Sequence, residues 1–105
     1  MLNQAIQLKV KLFSPSKLFP ISRFIIHDSS MEPDYLPGDH VLTFNWILPK
    51  IYNVIVFEKD GTFYLKRIVK IEKDLIFVKG DNNKVSSKIG PIRSLQLIGK
   101  VILKY

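Results

Sequence analysis

The sequence predicts an all-β domain, a small barrel or sandwich of about eight short strands. Apolar residues recur either at period two or in short continuous runs, the two patterns of half-buried and fully buried strands. Turn formers punctuate these runs at short intervals, as in Ser14-Pro15-Ser16, Pro37-Gly38-Asp39, Asp60-Gly61 and Gly80 to Asn83. Only Ile92 to Gln96, after Pro91, reads as a helical turn. The chain has 105 residues, 47% of them hydrophobic and 24% charged, which fits one folded domain. Residues 1–20 form an N-terminal strand and connector, and residues 23–103 form the core.

Ile6, Leu8, Val10 and Leu12 alternate with polar partners, so residues 5–13 read as a strand. Arg23 to His27 is a short apolar strand leading into Asp28-Ser29-Ser30-Met31-Glu32-Pro33. Beyond the Pro37-Gly38-Asp39 turn, His40 to Trp46 sets Leu42, Phe44 and Trp46 on one face. Val54-Ile55-Val56-Phe57 is continuous and apolar, as expected of a strand buried on both faces. Glu58 to Gly61 closes a hairpin. The return strand, Thr62 to Ile71, has Tyr64, Lys66 and Ile68 on one face and Phe63, Leu65, Arg67 and Val69 on the other. Leu75 to Lys79 and Leu97 to Leu103 complete the set, the last interrupted by Gly99.

Composition excludes several classes of function. The chain carries a net charge of +7 and a pI near 9.7, but its lysines are scattered along strands and turns, so they read as solvated faces and no nucleic-acid partner is expected. With no cysteine there is no thiol catalysis, disulfide or cysteine-bound metal, and two histidines do not make a metal site. No cofactor is expected. No apolar run reaches the ~18 residues needed to span a bilayer, and the N-terminus lacks a signal-peptide pattern. The chain reads as cytoplasmic or peripherally membrane-bound.

Ser30, between a strand and a proline-bearing turn, is a candidate nucleophile, although such stretches are also ordinary loops. A serine hydroxyl attacks only when a base takes its proton, and neither His27 nor His40 sits in a triad-like setting. Lysine is the other base available. A free lysine titrates near ~10.4, so burial must lower it by roughly 3 units for the neutral amine to serve near pH 7. Lys66, in an apolar and aromatic strand, is the candidate. The mechanism needs Ser30 Oγ and Lys66 Nζ within hydrogen-bond reach, ~2.6–3.2 Å.

Ser30-Met31-Glu32-Pro33 with Gly38 to Leu42, then Val54 to Phe57, then Tyr64-Leu65-Lys66-Arg67-Ile68, then Gly80-Asp81-Asn82 and Gly99-Lys100, resembles the successive motif boxes of type I signal peptidases. The resemblance covers residues 23–103. It implies the signal peptidase catalytic fold, with Ser30 as nucleophile and Lys66 as general base. A serine that orients the lysine falls at Ser86 when counted from Gly80, or at Ser87 when counted back from Gly90. Substrate enters as an added strand between the segment before the serine and the lysine strand, with Ile26, Met31 and Leu65 at the pocket-lining positions. Arg67 and Asp81 match a basic and an acidic position of the boxes and are expected to pair.

Two departures stand out. The family places a serine or another donor two residues before the nucleophile, to help hold the oxyanion; here that residue is Asp28, a carboxylate that would repel it. The Gly-Asp that precedes the buried strand in the family is Tyr52-Asn53 here.

The resemblance implies removal of an N-terminal leader or propeptide from a protein or peptide substrate by a monomer. Only 13 residues separate Lys66 from Gly80, and no anchor precedes the serine box, so the chain is similar to the short soluble members known as nickel-type superoxide dismutase maturation proteases. Trp46-Ile47-Leu48 is expected to be buried, the alternative being an exposed patch that contacts a membrane surface. Self-cleavage of the LexA type is disfavoured, since Ala5 is the only alanine. The remaining alternative is a catalytically inactive basic β-barrel that binds a protein or single-stranded nucleic acid.

Overall fold

The computed structural model describes residues 19–84 and 89–105. Their strands are β1 (Ile21–Ile25), β2 (His40–Phe44), β3 (Val54–Lys59), β4 (Thr62–Glu72), β5 (Leu75–Lys79), β6 (Ile92–Arg93) and β7 (Leu97–Lys104). All seven lie in one antiparallel sheet of order β1-β2-β7-β3-β4-β5-β6. The all-β class is as expected; among the described residues the sheet is not closed into a barrel and no second sheet makes a sandwich. The predicted strand over residues 5–13 lies outside the described residues. Of the predicted helical turn, Ile92 and Arg93 pair with β5 and only Ser94–Gln96 coils, as one 3-10 turn.

Local chemistry accounts for the hairpins. Asp60 and Gly61 both have positive φ, 53° and 80°, the paired left-handed geometry of a two-residue turn that matches strand twist. Irregular registers at Leu42/Thr43, Val56/Phe57 and Ile68/Lys70 add local twist. The sheet therefore curls until Phe24 of β1 packs on Phe63 of β4, ring centroids 5.3 Å apart, without joining the two strands. The core lies inside the curl: Ile55, Phe57, Ile68, Ile76 and Ile92 pack together, with Tyr64, Val78, Ile89 and Leu97 around them.

β2 ends at Phe44, two residues earlier than the alternation predicts. Asn45 diverts the chain there: its Nδ2 donates to Phe19 O and Ser22 Oγ, and its Oδ1 accepts from the buried Thr43 hydroxyl. Gly99 of β7 passes so close that a side chain there would run into Asn45 Oδ1. Past Asn45 the loop leaves the sheet. Trp46, Ile47 and Leu48, expected inside, are 61%, 45% and 85% exposed, because the described residues form a single sheet with no second layer to cover them. Among the described residues, no helix is long and apolar enough to cross a membrane.

Candidate active site

Three segments meet at Ser30. The first is its own turn, residues 28–35, in which Tyr35 N–H donates to Met31 O. The second is β4. Because side chains alternate along a strand, Tyr64, Lys66 and Ile68 share the core face, and Lys66 stands opposite Ile55 of β3. The third is Gly80-Asp81-Asn82, the exit of β5. Asn82 N–H donates to Ser30 O at 2.8 Å, Asn82 Nδ2 to Ser29 O at 2.9 Å, and Asp81 N–H to Met31 Sδ at 3.4 Å. Only glycine fits at position 80, where a Cβ would lie 2.8 Å from Ser30 O.

That same point lies 3.4 Å from Lys66 Nζ and 3.4 Å from Ser30 Cβ, so the amine and the serine side chain are within twice that distance of each other. Both are shielded from water: Ser30 is 6% exposed and Lys66 3%. Burial pushes the Lys66 amine below its ordinary 10.5, and the neighbouring Asp28 carboxylate partly offsets this by favouring the ammonium. The Ser30 hydroxyl does not bond to Lys66 here. It donates to Asp28 Oδ1 at 3.0 Å, and Ser30 N–H donates to the same oxygen at 3.1 Å. Asp28 thus points towards the Ser30 hydroxyl.

Arg67, next to Lys66, faces the other way. Its guanidinium grips Asp81 bidentately, Nε to Oδ1 at 3.0 Å and Nη2 to Oδ2 at 2.8 Å; Nη1 donates to Tyr52 O at 2.8 Å, and Nη2 lies 3.4 Å from Asp34 Oδ2. The expected Arg67 and Asp81 pair is present, and the bonds to Asp34 and Tyr52 extend it. One side chain therefore ties β4 to the serine turn, to the loop before β3 and to the turn after β5. From β7, Lys104 Nζ holds the serine turn by donating to Asp34 O at 2.7 Å.

A groove of about 410 Å³ runs beside the site between β1 and β4, walled by Arg23 to Asp28 and by Phe63 to Leu65, with Val41 and Val56 among its lining residues. Its volume is in the ~300–1,000 Å³ range of ligand-holding clefts. Both walls are strand edges. Pro20 and Ile26 spend their main-chain groups on the β2 side, accepting from Asn45 N–H and bonding Asp39 and Gly38. Alternation then turns the N–H and C=O of Arg23, Ile25 and His27 outward. β5 pairs with β4 only from Arg67 onward, which leaves the outward groups of Phe63 and Leu65 without a strand partner among the described residues.

Of the residues expected to line pockets, Ile26 and Leu65 are in the groove walls. Met31 is 1% exposed, lies under the Gly80 turn and is not among the groove-lining residues. Ser86 and Ser87 lie outside the described residues. Among the described residues, no cluster of histidines and carboxylates could hold a metal ion. Sequence reasoning missed the Asn82 clamp on Ser29, the Asp34 and Lys104 braces and the Phe24 and Phe63 contact; only Asn82, inside a recognised box, carried a signal. No protein-family model matches this chain, and no curated protein matches it.

Proposed function

We propose that this protein is a serine endopeptidase of the type I signal peptidase kind, which removes N-terminal leader or propeptide segments with a Ser30 and Lys66 dyad. The observation that carries the reading is a lysine amine buried close to a serine under Gly80, beside a groove whose two strand-edge walls have no strand partner among the described residues. Burial costs the ammonium its hydration and so favours the neutral amine that a general base must be. A substrate strand would bond to the outward main-chain groups on both walls.

In the reaction, Ser30 Oγ attacks the scissile carbonyl carbon while Lys66 Nζ takes the hydroxyl proton. The tetrahedral oxyanion needs a donor, a role we assign to Ser30 N–H. Collapse breaks the C–N bond, the Lys66 ammonium gives its proton to the departing amine, and an acyl ester on Ser30 remains. Lys66 next deprotonates a water, whose oxygen attacks the ester; the C–O bond breaks and Ser30 Oγ recovers a proton. No metal or cofactor enters this cycle.

The test is cleavage of peptides with small residues before the scissile bond. Ser30→Ala and Lys66→Ala should each reduce turnover by at least 10³-fold, in line with losing one member of a catalytic unit, while melting cooperatively. Normal cleavage by either folded variant overturns the dyad. The contact between Asp28 and the Ser30 hydroxyl favours a second reading, a catalytically inactive module that holds an extended segment without cutting it. In that case the same peptides bind and are recovered intact.

A further inference from the structure

We propose that Asp28 is a latch on the nucleophile, holding Ser30 in a resting arrangement that an entering substrate strand undoes. The inference rests on the dyad reading above. Asp28 Oδ1 accepts the two hydrogens that acyl transfer needs elsewhere. The Ser30 N–H has to be free for the developing oxyanion, and the hydroxyl proton has to turn to Lys66. The carboxylate also stabilises the Lys66 ammonium, the form of the base that accepts no proton.

An aspartate bonding an N–H two residues on is ordinary turn chemistry and alone would signify nothing. Two features go beyond a turn cap. One is the second bond, to the hydroxyl itself. The other is position: Asp28 lines the groove directly after His27, at the end of the β1 wall. A peptide running along Arg23, Ile25 and His27 brings its carbonyl to Ser30 and hence against Asp28. The developing oxyanion and the carboxylate repel each other, and Asp28, which is exposed, regains water when it leaves. Release therefore comes late, with substrate in place, and water alone meets a nucleophile whose proton is held away from its base.

Three variants and one amide signal test this. Asp28→Ser keeps a turn-forming hydroxyl and frees Ser30 N–H, so kcat/KM for a cleavable peptide should rise on the order of 10-fold, the usual worth of hydrogen bonds to a charged group. Asp28→Asn keeps an acceptor of the same shape without the charge and should rise less, which also guards against a misfolded serine variant. Adding Lys66→Ala to Asp28→Ser should remove the gain. In the ligand-free wild type, the Ser30 amide proton followed by nuclear magnetic resonance should sit downfield, as a bond to a carboxylate requires, and move upfield in Asp28→Asn. Cleavage by Asp28→Ser at or below the wild-type rate, or a Ser30 amide indifferent to Asp28, overturns the latch and leaves the dyad standing. If neither wild type nor Asp28→Ser cleaves any peptide while both are folded, the dyad reading falls and takes the latch with it.

Discussion

Lys66 and Arg67 are adjacent cations on one strand, and the fold treats them in opposite ways. Lys66 points into the core face between Tyr64 and Ile68, and among the described residues the one carboxylate that acts on it is that of Asp28. Arg67 points outward to two carboxylates and a carbonyl, and the hydrogen bonds it donates to Asp81 stabilise its charge. One residue is destabilised as an ion, the other anchored as one. Arginine suits the anchor because its fork bonds a carboxylate in two places and stays charged, and lysine suits the base because burial can neutralise it. The difference separates two neighbouring basic residues by their surroundings, and the candidate base of the proposed dyad is the one whose surroundings oppose its charge.

The widest break in this comparison comes from removing the opposed cation. Lys66→Met should abolish cleavage and yet stabilise the fold, since a methionine of similar length takes over the contacts without a charge to desolvate. A gain of about 1 kcal/mol corresponds to a melting-point rise of roughly 4–8 °C for a domain this small. The sign of the pH dependence follows from the lowered amine. The unfolded chain binds the Lys66 proton more tightly than the folded one, so the wild type gains stability as pH rises from the lowered folded value towards the ordinary 10.5, and loses it going down. Thermal melts at several pH values should show that slope in the wild type and a smaller one in Lys66→Met. Equal slopes, or a less stable variant, would mean that Lys66 is not held as a buried, opposed charge.

Breaking the anchored cation should cost stability first and rate second. Arg67→Ala leaves Asp81 and Tyr52 O without their donor, in a pair whose side chains are 29% and 20% exposed. Partly buried pairs of this kind lose about 2 kcal/mol, less than the ~3–5 kcal/mol of full burial. Arg67→Lys should recover little, because one ammonium cannot bond both Asp81 oxygens and the Tyr52 carbonyl. Denaturant midpoints measure both. In cleavage, kcat should fall by about 10-fold as the Gly80 turn loosens over Ser30, with the acid limb of the pH profile unmoved, since Arg67 does not act on Lys66. A shifted limb would show that the two faces of β4 are coupled.

Much of this contrast was legible in the residues. Alternation along Thr62 to Ile71 is a local property, and it assigned Lys66 to the side of Tyr64 and Ile68 and Arg67 to the other. The expected pair of Arg67 with Asp81 came from resemblance, and the braces around it did not, because Asp34, Tyr52 and Lys104 are distant in sequence and meet only through strand order. Strand order and closure depend on which edges meet, which period-two patterns do not encode. For the same reason Trp46, Ile47 and Leu48 were expected inside: their hydrophobicity was plain, and the absence of a covering layer was not. The direction of Asp28 is set by the backbone of a turn, where residue type alone allows either outcome.

The smallest effect concerns the backbone that presents one of the Arg67 acceptors. Tyr52 has φ of 75°, a left-handed conformation that costs a residue with a Cβ ~1–2 kcal/mol, and it stands where the resembled family has glycine. Its N–H and C=O are both engaged, donating to Ile68 O at 2.8 Å and accepting from Arg67 Nη1 at 2.8 Å, so the conformation is held by the bonds around it. Tyr52 is 70% exposed and contributes little packing. Tyr52→Gly removes the Cβ conflict and adds some freedom to the unfolded chain, for a net gain of about 0.5–1 kcal/mol. Cleavage should be unchanged, because every bond to Arg67 survives. A loss of stability would show that the ring does more than its exposure implies. A gain limited to the background of intact Arg67, absent in Arg67→Ala, would show that the guanidinium is what enforces the strained turn.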